Sequence, residues 1–80
     1  MELKDTIGRN IVKKRKQKNM TQQSLASKSG LSISYLRQIE HGTANITLDV
    51  LQRISLGLGT SVDDLMHADF TEEQNPDAFH

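Results

Sequence analysis

The chain has no cysteine and no tryptophan among its 80 residues, and only one proline, one tyrosine and two phenylalanines. Without cysteine there is no disulfide framework, no thiolate metal site and no thiolate nucleophile. No apolar run is long enough to span a bilayer. The N-terminus lacks the apolar stretch of a secretory signal. These absences lead us to expect a cytoplasmic protein. The shortage of aromatic residues and proline fits a compact helical domain better than a β-sandwich. Eighty residues make one domain at most, with a modest core that a second subunit would help to stabilise.

Net charge is also missing, since ten basic residues balance ten acidic ones. The balance hides an asymmetry. Residues 1–37 carry Lys4, Arg9, Lys13, Lys14, Arg15, Lys16, Lys18, Lys28 and Arg37 against Glu2 and Asp5, a net of +7. Residues 38–80 carry Arg53 against eight acids, a net of −7. Such a split points to a half that faces nucleic acid or a membrane. The competing account is solvated helix faces, and charge alone does not separate the two.

The apolar pattern predicts five short helices and no strand. Leu3, Ile7 and Ile11 recur every fourth residue, and Arg15 continues their stripe, so a first helix is expected from Leu3 to Lys18. Asn19 stops it. Thr21 is placed to cap a second helix with Leu25 and Ala26 inward, and Gly30 ends it. Ser32 caps a third, in which Leu36 and Ile39 share a face and Gly42 is the stop. The stretch "SISYLRQ", residues 32–38, alternates as a strand would, but no partner strand is found. Thr47 caps a fourth helix with Leu48, Leu51, Ile54 and Leu58 at helical spacing. Gly57 inside it is expected to cost about 1 kcal/mol relative to alanine. Ser61 and Asp64 resemble a capping box opening a short fifth helix with Val62, Leu65 and Met66 as anchors. The division expected is a domain over residues 1–66 and an acidic, flexible tail over residues 67–80.

Two helices joined by a short glycine-containing turn form a helix-turn-helix unit. The segment "MTQQSLASKSGLSISYLRQIEHG" resembles the helix-turn-helix of lambdoid phage repressors and Cro proteins, the Xre-type family. The matching residues are Thr21, Gln22, Leu25, Ala26, Gly30, Leu31, Ser32, Leu36, Ile39, Glu40 and Gly42. The continuation "ITLDVLQRISLGLGTSVDDLM" is similar to the family's last two helices, and the resemblance runs from about Ile7 to Met66. It implies an all-α, five-helix, lambda-repressor-like DNA-binding domain. The function it implies is a sequence-specific transcriptional regulator, a repressor or autoregulator, bacterial or phage-encoded, needing no cofactor.

A helix fits the major groove of B-DNA, and side chains near its N-terminus reach base edges. On the third helix those positions are Ser32, Ile33, Ser34, Arg37 and Gln38. Arg suits guanine O6 and N7, Gln suits adenine N6 and N7, and Ile33 suits a thymine methyl. The plainer account is an amphipathic surface helix with Ile33 buried. The resemblance implies that Gln22 bonds a phosphate and braces the recognition helix. Thr21, Lys28, Tyr35, His41, Thr43 and Asn45 are further phosphate candidates; for Thr43 and Asn45 simple loop solvation is the alternative. The resemblance also implies a partly buried ion pair between Arg15 and Glu40.

Two departures from the family pattern stand out. Gly57 occupies a position often filled by alanine, and Thr60 one often filled by a branched apolar residue. Leu56 is apolar on the outer side of the fourth helix. It is either a lone exposed leucine or part of a dimer contact with Leu58, Val62, Met66 and Phe70. Dimers in the family read palindromes, which makes a homodimer on double-stranded DNA the expectation. A different class is an antitoxin-like or protein-interaction module whose tail binds a partner protein; the basic first half argues against it. An enzyme is a poor fit, because no base, nucleophile and oxyanion set assembles. Asp63 and Asp64 are neighbours on a helix and diverge, and His41, His67 and His80 are too dispersed for a metal site.

Overall fold

The computed structural model describes residues 2–67. Five helices follow in order: α1 (Leu3–Gln17), α2 (Gln22–Ser29), α3 (Ile33–Glu40), α4 (Leu48–Leu58) and α5 (Val62–Met66). Among the described residues there is no strand. Local chemistry fixes where the last four begin. The hydroxyls of Thr21, Ser32, Thr47 and Ser61 accept from the main-chain N–H of Ser24, Tyr35, Val50 and Asp64 at 3.0–3.2 Å. Each cap satisfies a first-turn donor that the helix cannot pair itself. Asn19 takes a left-handed φ of 56° just after α1. Gly30 ends α2 at φ 68°, and the turn into α3 follows at once.

Every helix contributes to one core: Ile7 and Ile11, Leu25 and Ala26, Leu36 and Ile39, Leu51, Ile54 and Leu58, and Leu65, with Ala44 from the α3–α4 loop. α1 packs on α3 and α5, α2 on α3 and α4, and α4 on α5. One sequence expectation is corrected here, and two leucines of the helical stripes are exposed. Leu3 and Leu48 have the right spacing for the core but are 52% and 72% exposed. Each is the first residue of its helix. Leu58, proposed for a dimer surface, is 1% exposed and belongs to the protomer's own core.

Two glycines let helices approach closely. A Cβ on Gly8 would lie 2.6 Å from the Ile39 carbonyl oxygen and 2.7 Å from that of Glu40. α1 therefore meets the end of α3 backbone to backbone, with no room for a methyl group. A Cβ on Gly57 would lie 2.9 Å from Ser29 Oγ and 3.2 Å from Leu25 Cδ1. Glycine at 57 gives up helix propensity but seats α4 against α2. Asn10, 1% exposed, closes the other side. Its Nδ2 donates to the carbonyl oxygens of Leu65 at 2.9 Å and His67 at 2.6 Å, tying the end of α5 to α1.

Candidate nucleic-acid interface

α3 is amphipathic in a way that exposes one continuous stripe. Leu36 and Ile39 are fully buried, while Ser34, Arg37, Gln38 and His41 are exposed. Those four are spaced at i, i+3, i+4 and i+7, so they share a face. Ser32 is also exposed, and its Oγ accepts the Tyr35 N–H. That leaves the hydroxyl proton free to donate. Ile33 is half-buried and packs against the core. Only part of its side chain is therefore open on the exposed side of α3.

A polar network holds this face to the rest of the fold. Arg15 Nε donates to Glu40 Oε2 at 2.8 Å and Nη2 to Oε1 at 3.2 Å. Arg15 Nη1 donates to the Met20 carbonyl oxygen at 2.9 Å. The two side chains are only 12% and 4% exposed, so the expected ion pair is bidentate and largely desolvated. Gln22, the first residue of α2, extends it. Its Nε2 donates to Glu40 Oε1 at 2.9 Å, and its Oε1 accepts from Arg37 Nε at 3.2 Å. The resemblance implies that Gln22 braces α3, but that Arg37 is the partner emerges only once the start of α2 lies beside the second half of α3.

The α3–α4 loop is bound to α3 at two points. Tyr35 Oη donates to the Asn45 carbonyl oxygen at 2.9 Å, and Thr43 Oγ1 donates to the Gln38 carbonyl oxygen at 3.2 Å. Both hydroxyl protons are thus committed inside the protein, and neither reaches a phosphate without breaking that bond. Thr21 differs, because its oxygen only accepts from Ser24 N and its proton remains free. Asn45 and His41 have exposed side chains. Lys28 stands apart from this group. Its Cβ lies 3.5 Å from where a Gly57 Cβ would be, so the base of its side chain rests on α4.

Other cations serve helix ends. Lys18 Nζ lies 3.2 Å from the Cβ position of Gly59, the C-cap of α4, and Arg53 Nη1 lies 3.7 Å from that of Gly30, the C-cap of α2. Positive charge there complements the helix dipole. Arg53 also pairs with Asp49 at 3.1 Å. Part of the basic first half is therefore structural.

Apolar side chains are exposed on α4 and α5. Leu56 is 76% exposed and Met66 36% exposed, with Val62 half-buried beside the core. Phe70, the remaining dimer candidate, lies outside the described residues. Near this surface the Asp64 carboxyl is held below the usual carboxylate range, first by the Thr60 hydroxyl and then by Ser61. Thr60 Oγ1 donates to Asp64 Oδ2 at 3.0 Å. The departure at Thr60 thus has a local task. Among the described residues no group of acidic or histidine side chains could hold a metal ion.

Comparison with known proteins agrees with this geometry. The HTH_3 helix-turn-helix family model matches residues 11–65. The control protein C.BamHI of Bacillus amyloliquefaciens is 43% identical over 53 residues, spanning 66% of this chain and 63% of that protein. The control protein C.SmaI of Serratia marcescens is 33% identical over 66 residues, spanning 82% of this chain and 79% of that one. Among solved structures, the restriction-modification controller protein C.Esp1396I, as a tetramer with its natural 35-base-pair operator, superposes with a TM-score of 0.72. That pair is 31% identical and covers 84% of this chain and 99% of the other. A buried helix-turn-helix core, an outward polar stripe on its second helix and a family match across most of the chain agree: the protein belongs to the HTH_3 helix-turn-helix family and is a DNA-binding transcriptional regulator, not an enzyme.

Proposed function

We propose that the protein binds a palindromic operator as a two-fold homodimer, with α3 in the major groove, and controls transcription from that site. The observation that carries this reading is the stripe Ser34, Arg37 and Gln38 on α3, anchored from behind by Leu36 and Ile39. Ser32 and the open part of Ile33 complete the base-reading set. Thr21, Gln22 and the α2 N-terminus supply phosphate contacts, because first-turn main-chain N–H groups and the helix dipole favour an anion. His41 and Asn45 extend that contact along the backbone. Tyr35 and Thr43 act indirectly, by fixing the loop that bears Asn45.

Leu56, Val62 and Met66 form the dimer contact. Two-fold symmetry then sets half-sites about one helical turn apart, roughly 34–36 Å. The likeness to control proteins supports a controller-type task, in which a small regulator adjusts expression of its own operon. A regulator of this kind works in the bacterial cytoplasm. No helix among the described residues is long and apolar enough to cross a membrane.

Selection of bound duplexes from a random pool tests the reading. A palindrome with that half-site spacing is expected, bound with an affinity that falls steeply as salt rises. Arg37→Ala should relax one position in each half-site, at a cost of about 1–3 kcal/mol. Duplex binding that is absent at low salt would overturn the proposal and favour a protein-interaction module.

A further inference from the structure

The network behind α3 ends on a side chain proposed to read a base, and the hydrogen-bond chemistry along it allows one arrangement. Glu40 is an acceptor only, and Arg37 is a donor only. Gln22 bridges them, so its amide must present Nε2 to Glu40 and Oε1 to Arg37, as it does at 2.9 and 3.2 Å. A flipped amide would set oxygen against carboxylate and NH2 against guanidinium. Glu40 itself is immobile, being 4% exposed and gripped by Arg15 through two bonds. Arg15 is in turn fixed on the Met20 carbonyl oxygen. Arg37 is therefore tied at Nε to a buried, rigid chain, although it is itself exposed.

A guanidinium can meet a pair of acceptors side-on, through Nε and one Nη, or end-on, through both Nη groups. With Nε engaged by Gln22, the side-on pair is taken and the end-on pair remains. We infer that Gln22 is a specificity-setting residue that touches no base: it fixes Arg37 for end-on donation to the O6 and N7 acceptors of one guanine in each half-site. The inference rests on the reading of α3 as the groove helix. Arg–guanine pairing through two donors is the most frequent specific contact in the major groove, and its discrimination depends on geometry. A side chain already held in its binding orientation loses less rotamer freedom on docking. An untethered Arg37 would still supply charge, but it could swing to a phosphate, which carries no sequence information.

Selection from a random duplex pool, run in parallel on the wild type, Arg37→Ala, Gln22→Met and Gln22→Glu, separates the possibilities. Gln22→Met keeps the length and removes both hydrogen bonds. Gln22→Glu loses the donor to Glu40 and sets a carboxylate against it, but keeps an acceptor for Arg37 Nε. The expected result is a guanine preference of roughly tenfold or more in the wild type. It should be lost in Arg37→Ala and reduced at the same position, with the other positions retained, in Gln22→Met, whereas Gln22→Glu, which still accepts from Arg37 Nε, should keep it. If Arg37→Ala relaxes that position while Gln22→Met lowers affinity equally for all sequences, Gln22 is a phosphate contact only. The inference then falls and the groove reading stands. If Arg37→Ala relaxes no position, the assignment of Arg37 fails and takes the inference with it. A second measurement needs no DNA. The Arg37 Nε–H resonance of the free protein should be resolved and slow to exchange in the wild type and lose both properties in Gln22→Met. A resonance unchanged in that variant overturns the tether.

Discussion

The two exposed faces of the molecule are built on opposite principles. On the α2–α3 side, polar side chains are held by other polar side chains, and the chain of bonds runs inward from Arg37 through Gln22 and Glu40 to Arg15. On the α4–α5 side, Leu56 and Met66 stand in solvent with only Val62 leaning on the core. The first surface has its geometry before any ligand arrives. The second gains its stabilisation only when another apolar surface covers it. A groove reader needs direction, because hydrogen bonds are lost by small misplacements. An oligomer contact needs area, because apolar burial is not directional. The difference teaches which surface should respond to loss of one atom and which to loss of contact area.

The strongest way to break the ordered face is Glu40→Ala. It leaves Arg15 with a mostly buried, unpaired guanidinium and Gln22 without its acceptor. Removing one partner of such a pair should cost about 3–5 kcal/mol. Denaturant unfolding reads it directly, and an unchanged transition midpoint would mean that the pair does not hold the fold. Gly8→Ala attacks the same end of α3 from α1. The added Cβ would lie 2.6 Å from the Ile39 carbonyl oxygen, a backbone atom that has little freedom to move aside. Overpacking of that kind costs about 1–3 kcal/mol. Loss of less than a few tenths would show that α1 slides freely over α3.

The apolar face is tested by Leu56→Glu. The side chain is 76% exposed, so the protomer should keep its melting behaviour at low concentration, where dimers are absent. Sedimentation should show dimer dissociation shifted at least tenfold, about 1.4 kcal/mol. Affinity for a single half-site should be unaffected. An unchanged dimer would return Leu56 to the ordinary exposed leucines of a surface.

The two faces were not equally legible in the sequence. The helices can be read because four of the five N-caps are Thr21, Ser32, Thr47 and Ser61, each opening an apolar pattern. The exposed stripe can be read because α3 has a strict inside and outside. The Arg15–Glu40 pair needs the family resemblance, since 25 residues separate its members. Leu58 could have been placed correctly from geometry alone. It is two residues from Leu56, about 200° around a helix, so the two do not share a face. Leu3 and Leu48 mislead because spacing assigns a face of a helix, whereas both stand exposed at a helix start. Asn10 gives no signal: a polar residue in α1 reads as surface until the Leu65 and His67 carbonyls, 55 and 57 residues away, are seen to need it. Gly8 is equally silent, because a tight helix crossing is a property of two segments.

The smallest expected effect lies where a polar device adjoins the apolar face. The Thr60 hydroxyl and Ser61 favour the charged form of Asp64, so its folded pKa is below the ordinary value of 3.8. A depressed carboxyl pKa stabilises the fold above the unfolded pKa, and that contribution disappears as pH falls through the folded pKa. Thr60→Val keeps the shape and removes the largest cause. The Asp64 carboxyl should then titrate nearer its ordinary range, as followed by NMR. The stability difference between wild type and variant should be constant at neutral pH and narrow as pH drops below about 4. Because Asp64 is fully exposed, salt should also weaken the effect. If the difference is the same at pH 7 and pH 3, Thr60 acts through packing. The α4–α5 face would then be apolar in its supports as well as in its surface.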